Sequence, residues 1–184
     1  VGIFSYLSGL YNSGGTPRLE VVVSNNGTSY DLIYLNHTPT TGTWYHYAFV
    51  CDISESAATE ITFYINGVSQ GNGSVAVDSS ATALFNNSNP FVVGALGGYG
   101  LYSDCKIDEL RVWSDIRTAT EISNNMYKYV TGQSNLVGYW KFNNAYTDAS
   151  GNSNTLTGYN TPTFSTDSAF TNYRVNNGGF INLL

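Results

Sequence analysis

The stretch that most constrains the fold is Phe91–Trp113, with the sequence FVVGALGGYGLYSDCKIDELRVW. It starts with a short apolar run containing β-branched residues, continues through a glycine-rich segment and ends in alternating apolar and charged residues. Apolar β-branched runs favour strands, and glycine adopts backbone angles that are closed to other residues. The stretch therefore predicts two strands joined by a glycine-rich turn, in a two-layer antiparallel sheet protein.

Two carboxylates, Asp108 and Glu109, lie within the second of these predicted strands. Side chains alternate between the two faces of a strand, so these two point to opposite faces. Carboxylates in a strand are unfavourable unless they have partners. We therefore predict a salt bridge, a turn-capping role or a bound cation at this pair.

Most of the remaining chain shows the same pattern of strands and turns. Strands are predicted at Gly2–Tyr11, Leu19–Ser24, Ser29–Asn36, Thr43–Asp52, Glu60–Ile65 and Leu136–Asn143. The segment Val68–Val77 is predicted to be one further strand or a pair of short ones. Weaker patterns predict short strands at Thr155–Thr157, Pro162–Phe164 and Tyr173–Leu184. Asn66-Gly67, between two predicted strands, is a strong hairpin signal. One helix is predicted over Ala119–Tyr127, because Thr118 and Glu121 have the spacing of a capping box.

Composition argues against two classes of partner. Only 11% of the residues are charged and the net charge is -6, whereas phosphate binding needs clustered Lys and Arg, so no nucleic acid is expected. No apolar run reaches about 18 residues, so no membrane insertion is expected. The abundance of uncharged Tyr, Asn and Thr favours an extracellular, cell-surface or virion-surface location. Since Val1 is not Met, we expect a chain trimmed or excised from something longer.

Five segments, in this order, resemble one family: TGTWYHYAFVCD, FYINGV, FVVGALGG, KIDELRVW and RTATEI. Together they resemble the laminin-G-like or pentraxin-like branch of the concanavalin A-like lectin/glucanase superfamily. The resemblance implies an all-β fold, a two-sheet antiparallel jelly-roll sandwich with one concave sheet, here with one short helix.

The segment LVGYWKFNNAYTDASGNSN, which begins at Leu136, also resembles this family, where such a segment often opens a domain or trails it just after the helix. In this chain it trails the predicted helix. Two domain organisations remain open. Residues 1–184 form one sandwich that residues 136–184 complete, or residues 136–184 open a second repeat.

Catalysis is not expected. Retaining glucanases need two carboxylates about 5 Å apart, and the chain has neither an E-x-D-x-x-E nor an E-x-D-x-E pattern. The adjacent Asp108 and Glu109 cannot form such a pair, because they point to opposite faces of a strand. The segment Gly67–Gly71 (GVSQG) has the G-x-S-x-G spacing, but it falls on the predicted Asn66-Gly67 hairpin and the strand after it. A nucleophile elbow needs a strand-to-helix turn, so none is expected here.

The segment DASGNSN offers oxygen ligands from Asp148, Asn152 and Asn154. Ca²⁺ takes six to eight such oxygens, partly from backbone carbonyls, and the family resemblance implies that Ca²⁺ is common near loops of this kind. The alternative is an Asx-turn, in which these side chains bond nearby backbone amides. Both interpretations remain open.

The two cysteines, Cys51 and Cys105, stand where the family pattern usually has an aromatic residue and a glycine. A disulfide bond between them is one interpretation, because two independent departures to Cys would otherwise be a coincidence. Two thiols that pack as small hydrophobic residues are the other interpretation.

Candidate ligand-binding residues come from the turns. Sugars are held by aromatic faces and neutral hydrogen-bonding groups, and the glycine-rich turn brings Tyr99, Tyr102 and Asp104 close in sequence. Tyr6 and Tyr11 flank another turn of this composition.

The sequence predicts a non-catalytic recognition or adhesion module that binds glycan or another surface polymer. The alternative prediction is a structural or assembly repeat that contacts neighbouring copies of itself and binds no sugar.

Overall fold

The structure is a computed structural model that describes residues 6–96, 101–130 and 132–170. The chain divides into two compact units. The first comprises Val1–Ser103 and Thr118–Ser123, and the second comprises Asp104–Arg117 and Asn124–Leu184. Within the described ranges, no helix is both long and apolar enough to cross a membrane.

The first unit is built from short antiparallel strands. They are β1 (Tyr6–Ser13), β2 (Thr16–Val23), β3 (Asp31–Asn36), β4 (Tyr47–Cys51), β5 (Ile61–Ile65), β6 (Val68–Gly71), β7 (Ser74–Val77), β8 (Ala95–Leu96) and β9 (Leu101–Tyr102). One sheet has the order β1-β2-β3-β7, a second has the order β4-β5-β6, and β8 pairs with β9. The all-β, antiparallel fold class predicted from the sequence is confirmed.

The core of the first unit draws side chains from both larger sheets. It contains Leu19, Val21, Val23, Ile33, Ile61, Phe63 and Ala81. Leu19, Val21 and Val23 alternate along β2 and therefore share one face of the strand. Arg18 and Glu20 consequently fall on the opposite face of β2, away from this core.

The predicted hairpin at Asn66-Gly67 is confirmed, because β5 and β6 pair across it with Ile65 opposite Val68. Asn66 has φ 50° and Gly67 has φ 77°. A two-residue turn of this kind needs positive φ at both central positions, and Asn and Gly are the residues that tolerate it best.

The second unit contains an antiparallel pair of strands, β10 (Leu110–Trp113) and β11 (Leu136–Trp140), with Leu110 opposite Trp140. Its buried cluster contains Val130, Leu136 and Tyr139, against which Trp113 packs.

The helix α1 (Ala119–Asn125) begins in the first unit and ends in the second. The capping box is confirmed, since the Thr118 amide donates to Glu121 Oε2 over 2.9 Å and the Glu121 amide donates to Thr118 Oγ1 over 3.2 Å. The helix ends at Asn125, slightly earlier than the predicted end at Tyr127.

Three predicted strands are wrong. The run Phe91–Val93 is not a strand, and Phe91 and Val92 are exposed. Neither Thr155–Thr157 nor Pro162–Phe164 is a strand. Strand propensity has no effect without a neighbouring strand to accept the hydrogen bonds. The segment Tyr173–Leu184 lies outside the described residues.

The predicted strand through Asp108 and Glu109 is also shorter than expected, because β10 begins at Leu110. Glu109 has φ 55°, in the left-handed region that a residue of an extended strand does not occupy. The two carboxylates therefore precede the strand rather than interrupt it.

Candidate functional site

Two of the three predicted ligand-binding residues of the glycine-rich turn fall within the described residues. Tyr102 ends β9 and is 57% exposed. Asp104 is exposed and is the first residue of the second unit, whereas Tyr99 lies outside the described residues. A ligand site formed by these three residues stays a prediction.

The Asp148 carboxylate is the centre of a hydrogen-bonded turn. Its Oδ1 accepts the amides of Tyr139 and Ser150 over 2.9 and 2.8 Å, and its Oδ2 accepts the Ser150 hydroxyl and the Asn154 amide over 2.8 and 2.9 Å. Partial burial alone would raise the pKa of Asp148, but these hydrogen bonds together hold the pKa below its usual value.

The side-chain amides of the two neighbouring asparagines donate hydrogen bonds to backbone carbonyls. Asn152 Nδ2 donates to the Leu136 carbonyl over 2.6 Å, and Asn154 Nδ2 donates to the Val137 carbonyl over 2.8 Å. These contacts fit an Asx-turn that fastens the loop to β11, and an ion at Asp148 would have to displace four donors. Among the described residues, no three His, Cys, Asp or Glu side chains are grouped to hold a metal ion. Ca²⁺ at this loop stays a prediction.

Within the described residues, Cys51 and Cys105 are both present as thiols, and a disulfide bond between them stays a prediction. Cys51 is half-buried and Cys105 is exposed. Burial raises the pKa of the Cys51 thiol to about 11, and the charges of Glu60 and Asp52 add to the rise. Cys51 is therefore protonated at neutral pH and packs against the core of the first unit.

The carboxylates Asp108 and Glu109 have the first two roles that the sequence predicted. Asp108 Oδ2 accepts the Ala169 amide over 2.8 Å, which is a capping role. Glu109 Oε2 forms a salt bridge with Arg111 Nη2 over 3.4 Å and accepts the hydroxyl of Tyr139. Their contacts are thus structural ones within the second unit.

One surface concavity of the first unit is a groove of about 270 Å³, which we call the Tyr11 groove. Its lining residues are Leu10, Tyr11, Asn12, Pro17, Thr38 and Pro39. They come from the β1–β2 hairpin and from the loop after β3. The walls are mostly apolar, and the Tyr11 hydroxyl, the Asn12 amide and the Thr38 hydroxyl are the polar groups available to a ligand.

The position of Tyr11 depends on Gly9 and Glu20. A Cβ at Gly9 would lie 3.2 Å from the Tyr11 ring, so the ring packs closely over this glycine. Glu20 lies opposite Gly9 on β2. Burial raises the pKa of Tyr11, and the nearby charge of Glu20 raises it further, so the hydroxyl remains a hydrogen-bond donor at neutral pH.

Beside Tyr11, charged and aromatic groups continue across the same face of the sheet. Arg18 pairs with Glu20 through its Nε, and its guanidinium lies 4.5 Å from the centre of the Tyr34 ring. Both contacts fix the Arg18 side chain, which lies opposite Tyr11 in the β1–β2 register.

An aromatic cluster of His37, Tyr45 and Tyr47 supports the loop that forms the other wall. The rings of Tyr45 and Tyr47 stack with centroids 5.8 Å apart, and His37 meets both edge-on. His37 Nε2 and the Tyr47 hydroxyl are 2.9 Å apart, and the Thr40 amide donates to the Tyr45 hydroxyl over 3.2 Å. These contacts within the protein therefore hold the wall that carries Thr38 and Pro39 in place without a ligand.

Sequence reasoning singled out Tyr11 as a turn-flanking residue but missed its partners. Arg18 and Tyr34 look like ordinary strand residues, and His37 looks like a loop residue. The register of β1, β2 and β3 brings them together. The local signal was the spacing of Tyr45 and Tyr47, which lie two residues apart in the predicted strand Thr43–Asp52.

Comparison with known proteins gives one match. Residues 2–123 match a laminin G family model described as concanavalin A-like lectin/glucanases superfamily. No curated protein and no solved structure gives a significant match. The matched segment contains the Tyr11 groove, whereas the Asp148 turn lies beyond it.

Proposed function

Because the chain belongs to the laminin G-like family of the concanavalin A-like lectin/glucanases superfamily, we propose that it is a non-catalytic recognition module. In this proposal it binds a glycan or another surface polymer and is part of a larger extracellular or virion-surface protein. The superfamily description covers both lectins and glucanases. Binding is favoured over hydrolysis because the residues that line the Tyr11 groove include no carboxylate, whereas glycoside hydrolysis uses two.

The composition of the Tyr11 groove is the observation that carries this proposal. Carbohydrate sites combine an apolar or aromatic surface with a few fixed hydrogen-bonding groups. The groove provides the first through Tyr11, Leu10 and two prolines, and the second through Asn12 and Thr38. It carries no charged side chain of its own, which favours a neutral glycan.

The test is affinity electrophoresis of the chain in gels that contain neutral polysaccharides, together with a glycan array. We expect Tyr11→Ala to weaken binding at least about tenfold, as loss of a central aromatic contact does. Tyr11→Phe should keep most of the affinity. Val68→Ala, at an exposed position on β6, is the control that should bind like the unaltered chain.

Two other results would contradict this proposal, the first for the position of the site and the second for the function. If Tyr102→Ala abolishes binding and Tyr11→Ala does not, the ligand lies at the glycine-rich turn and the groove is wrong. If the unaltered chain binds no glycan at all, the recognition function itself is wrong.

A second candidate function, a structural repeat that contacts neighbouring copies, is favoured by the edge strand β7. It pairs only with β3 among the described strands, and Val75 and Val77 on it are 40% and 38% exposed. Exposed apolar edge strands add strands from other chains. Concentration-dependent self-association that Val75→Lys removes would support this candidate, and a monomer at every concentration would rule it out.

A further inference from the structure

Tyr159, in the second unit, is 84% exposed, the largest exposed fraction among the large hydrophobic side chains that the structure describes. An aromatic ring left in water forgoes much of the free energy that burial would give it. Isolated exposed apolar residues are common on surfaces, so exposure alone means little. The loop around Tyr159, however, is organised to hold the ring outward.

The base of this loop is built around Tyr146. The Tyr146 carbonyl accepts the Leu156 amide over 3.0 Å, and its hydroxyl donates to the Pro162 carbonyl over 3.4 Å. The Tyr146 ring also packs on Phe164 with centroids 4.7 Å apart. Both arms of the loop, before and after Tyr159, are therefore attached to one residue, the first through its backbone carbonyl and the second through its side chain.

Gly158, the residue next to Tyr159, lies against the same ring. A Cβ at this position would come within 2.9 Å of the Tyr146 ring, closer than a real contact allows. Glycine is thus required for the loop to pack this tightly, and a side chain here would push the Tyr146 ring away.

The backbone beyond Tyr159 is strained. Asn160 has φ 58° and Thr161 has φ 51°. Left-handed backbone is unusual for a β-branched residue, and a residue that precedes a proline normally prefers extended angles. Strain of this kind persists only where the surrounding structure holds it, and it is concentrated at functional sites. We call the contacts that Tyr146 makes with both arms of the loop and with Gly158 the Tyr146 clamp. This clamp holds the strained turn that exposes Tyr159.

The chemistry around Tyr159 selects one kind of ligand. Residues 155–166 include no charged side chain, so neither an anionic nor a cationic partner would gain an ion pair there. Hydroxyl and amide groups flank the ring in sequence, from Thr155, Thr157, Asn160, Thr161, Thr163 and Ser165. A bare aromatic face among neutral hydrogen-bonding groups fits the apolar face and the hydroxyls of an uncharged sugar ring.

We propose that Tyr159 is the platform of a second carbohydrate-contact site, which stacks on a ring of a neutral polysaccharide. The site belongs to the second unit and uses none of the residues of the Tyr11 groove. It rests on the proposed function for the class of ligand.

The test compares four variants of the full chain on neutral polysaccharides by affinity electrophoresis. Tyr159→Ala should lower the affinity about tenfold, and Tyr159→Trp should keep it, because a ring is retained. Gly158→Ala should also lower it, because it loosens the clamp without removing the ring. Ile116→Ala, an exposed apolar position in the second unit, should leave binding unchanged. Circular dichroism checks that each variant folds.

A second measurement separates this site from the groove. Tyrosine iodination mapped by mass spectrometry should be slowed at Tyr159 by a saturating polysaccharide, and Tyr11→Ala should not remove that protection. If Tyr159 is unprotected and Tyr159→Ala binds normally while Tyr11→Ala does not, the second site is wrong and the groove stands. If Tyr159 is protected and Tyr11→Ala has no effect, the second site stands and the groove is wrong. Absence of both binding and protection on every polysaccharide overturns both.

Discussion

Glu60 in the first unit and Glu109 in the second are both buried glutamates, yet their carboxylates have opposite surroundings. The Glu109 side chain is 7% exposed, pairs with Arg111 and accepts the Tyr139 hydroxyl. Glu60 is 1% exposed, and neither of its carboxylate oxygens has a hydrogen-bond partner among the described residues. A buried carboxylate costs free energy unless it is paired or protonated. Glu109 is paired, whereas Glu60 depends on protonation.

The pKa values follow from these surroundings. Burial raises the pKa of Glu109, but the Tyr139 hydrogen bond and the Arg111 charge oppose that rise. Burial raises the pKa of Glu60 to about 7, and the charges of Asp31 and Asp78 push in the same direction. The pKa of Glu109 is thus raised on balance, with its partners opposing the rise, whereas no partner opposes the rise at Glu60, which takes up a proton near neutral pH.

The largest effect should come from breaking the pair that makes Glu109 tolerable. Arg111→Met should cost about 3–5 kcal/mol of unfolding free energy, because it leaves a buried carboxylate without its cation. Arg111 also donates to the Asn125 and Lys128 carbonyls over 2.8 and 2.5 Å, so the C-terminal end of α1 should fray as well. Urea unfolding at pH 7 measures the loss.

Lys106→Met is the matched control, because Lys106 pairs with Asp167 but both side chains are more than half exposed. Exposed pairs of this kind contribute little, so no measurable change is expected. Equal losses in the two variants would contradict the idea that burial gives the Arg111 pair its importance.

Asp148 extends the comparison to a carboxylate paired only with neutral donors. Asp148→Ala should cost about 3 kcal/mol, since four hydrogen bonds are lost at roughly 0.5–1.5 kcal/mol each. Because folding lowers the pKa of Asp148, this stabilisation is complete above its unfolded value and is lost as the pH falls through the folded value. Thermal unfolding measured against pH shows both effects.

The control for Asp148 is Asp52→Ala, which removes a smaller Asx-turn with two donors from Ser54 and should cost less. The same melts, run with Ca²⁺ and with EDTA, address the ion. Because the Asp148 carboxylate already accepts four hydrogen bonds from the protein, we expect Ca²⁺ to leave the melting temperature unchanged. A rise with Ca²⁺ that Asp148→Ala removes would establish the calcium site instead.

Local signals in the sequence were sufficient wherever the structure depends on neighbouring residues. Asn66-Gly67 is a turn because both residues tolerate positive φ. Thr118 and Glu121 start a helix because they lie three positions apart, the spacing at which the Glu121 amide reaches the Thr118 hydroxyl. The Phe91–Val93 run shows the limit, because its strand propensity needs a partner strand that the sequence does not identify.

The candidate sites depended on contacts that no local pattern contains. The Tyr11 groove joins β1, β2 and the loop after β3, so it exists only once the strand register is set. Glu60 looks like a surface residue at the end of a polar loop, and its burial appears only when β5 packs into the core. Asp108 and Glu109 were recognised as needing partners, but Tyr139, which lies 30 residues from Glu109, was not predictable.

A gain of stability, opposite in sign to the losses above, should come from Glu60→Gln. The folded pKa of Glu60 is raised from 4.5 to about 7, so the stability of the unaltered chain is full below about pH 4.5 and falls as the pH rises through 7. An amide does not ionise. Glu60→Gln should therefore be more stable than the unaltered chain at pH 8, by up to about 3 kcal/mol at roughly 1.4 kcal/mol per pKa unit. It should be nearly equal to the unaltered chain at pH 4.5, in urea unfolding at both values.

Two further variants give this last result its meaning. Glu55→Gln, at an exposed position, should show no dependence on pH. Glu109→Gln should destabilise the chain at pH 8, because it removes the charge that Arg111 needs. If Glu60→Gln and Glu109→Gln shift stability in the same direction, the two buried glutamates are not opposites, and Glu60 has a cationic or donor partner outside the described residues.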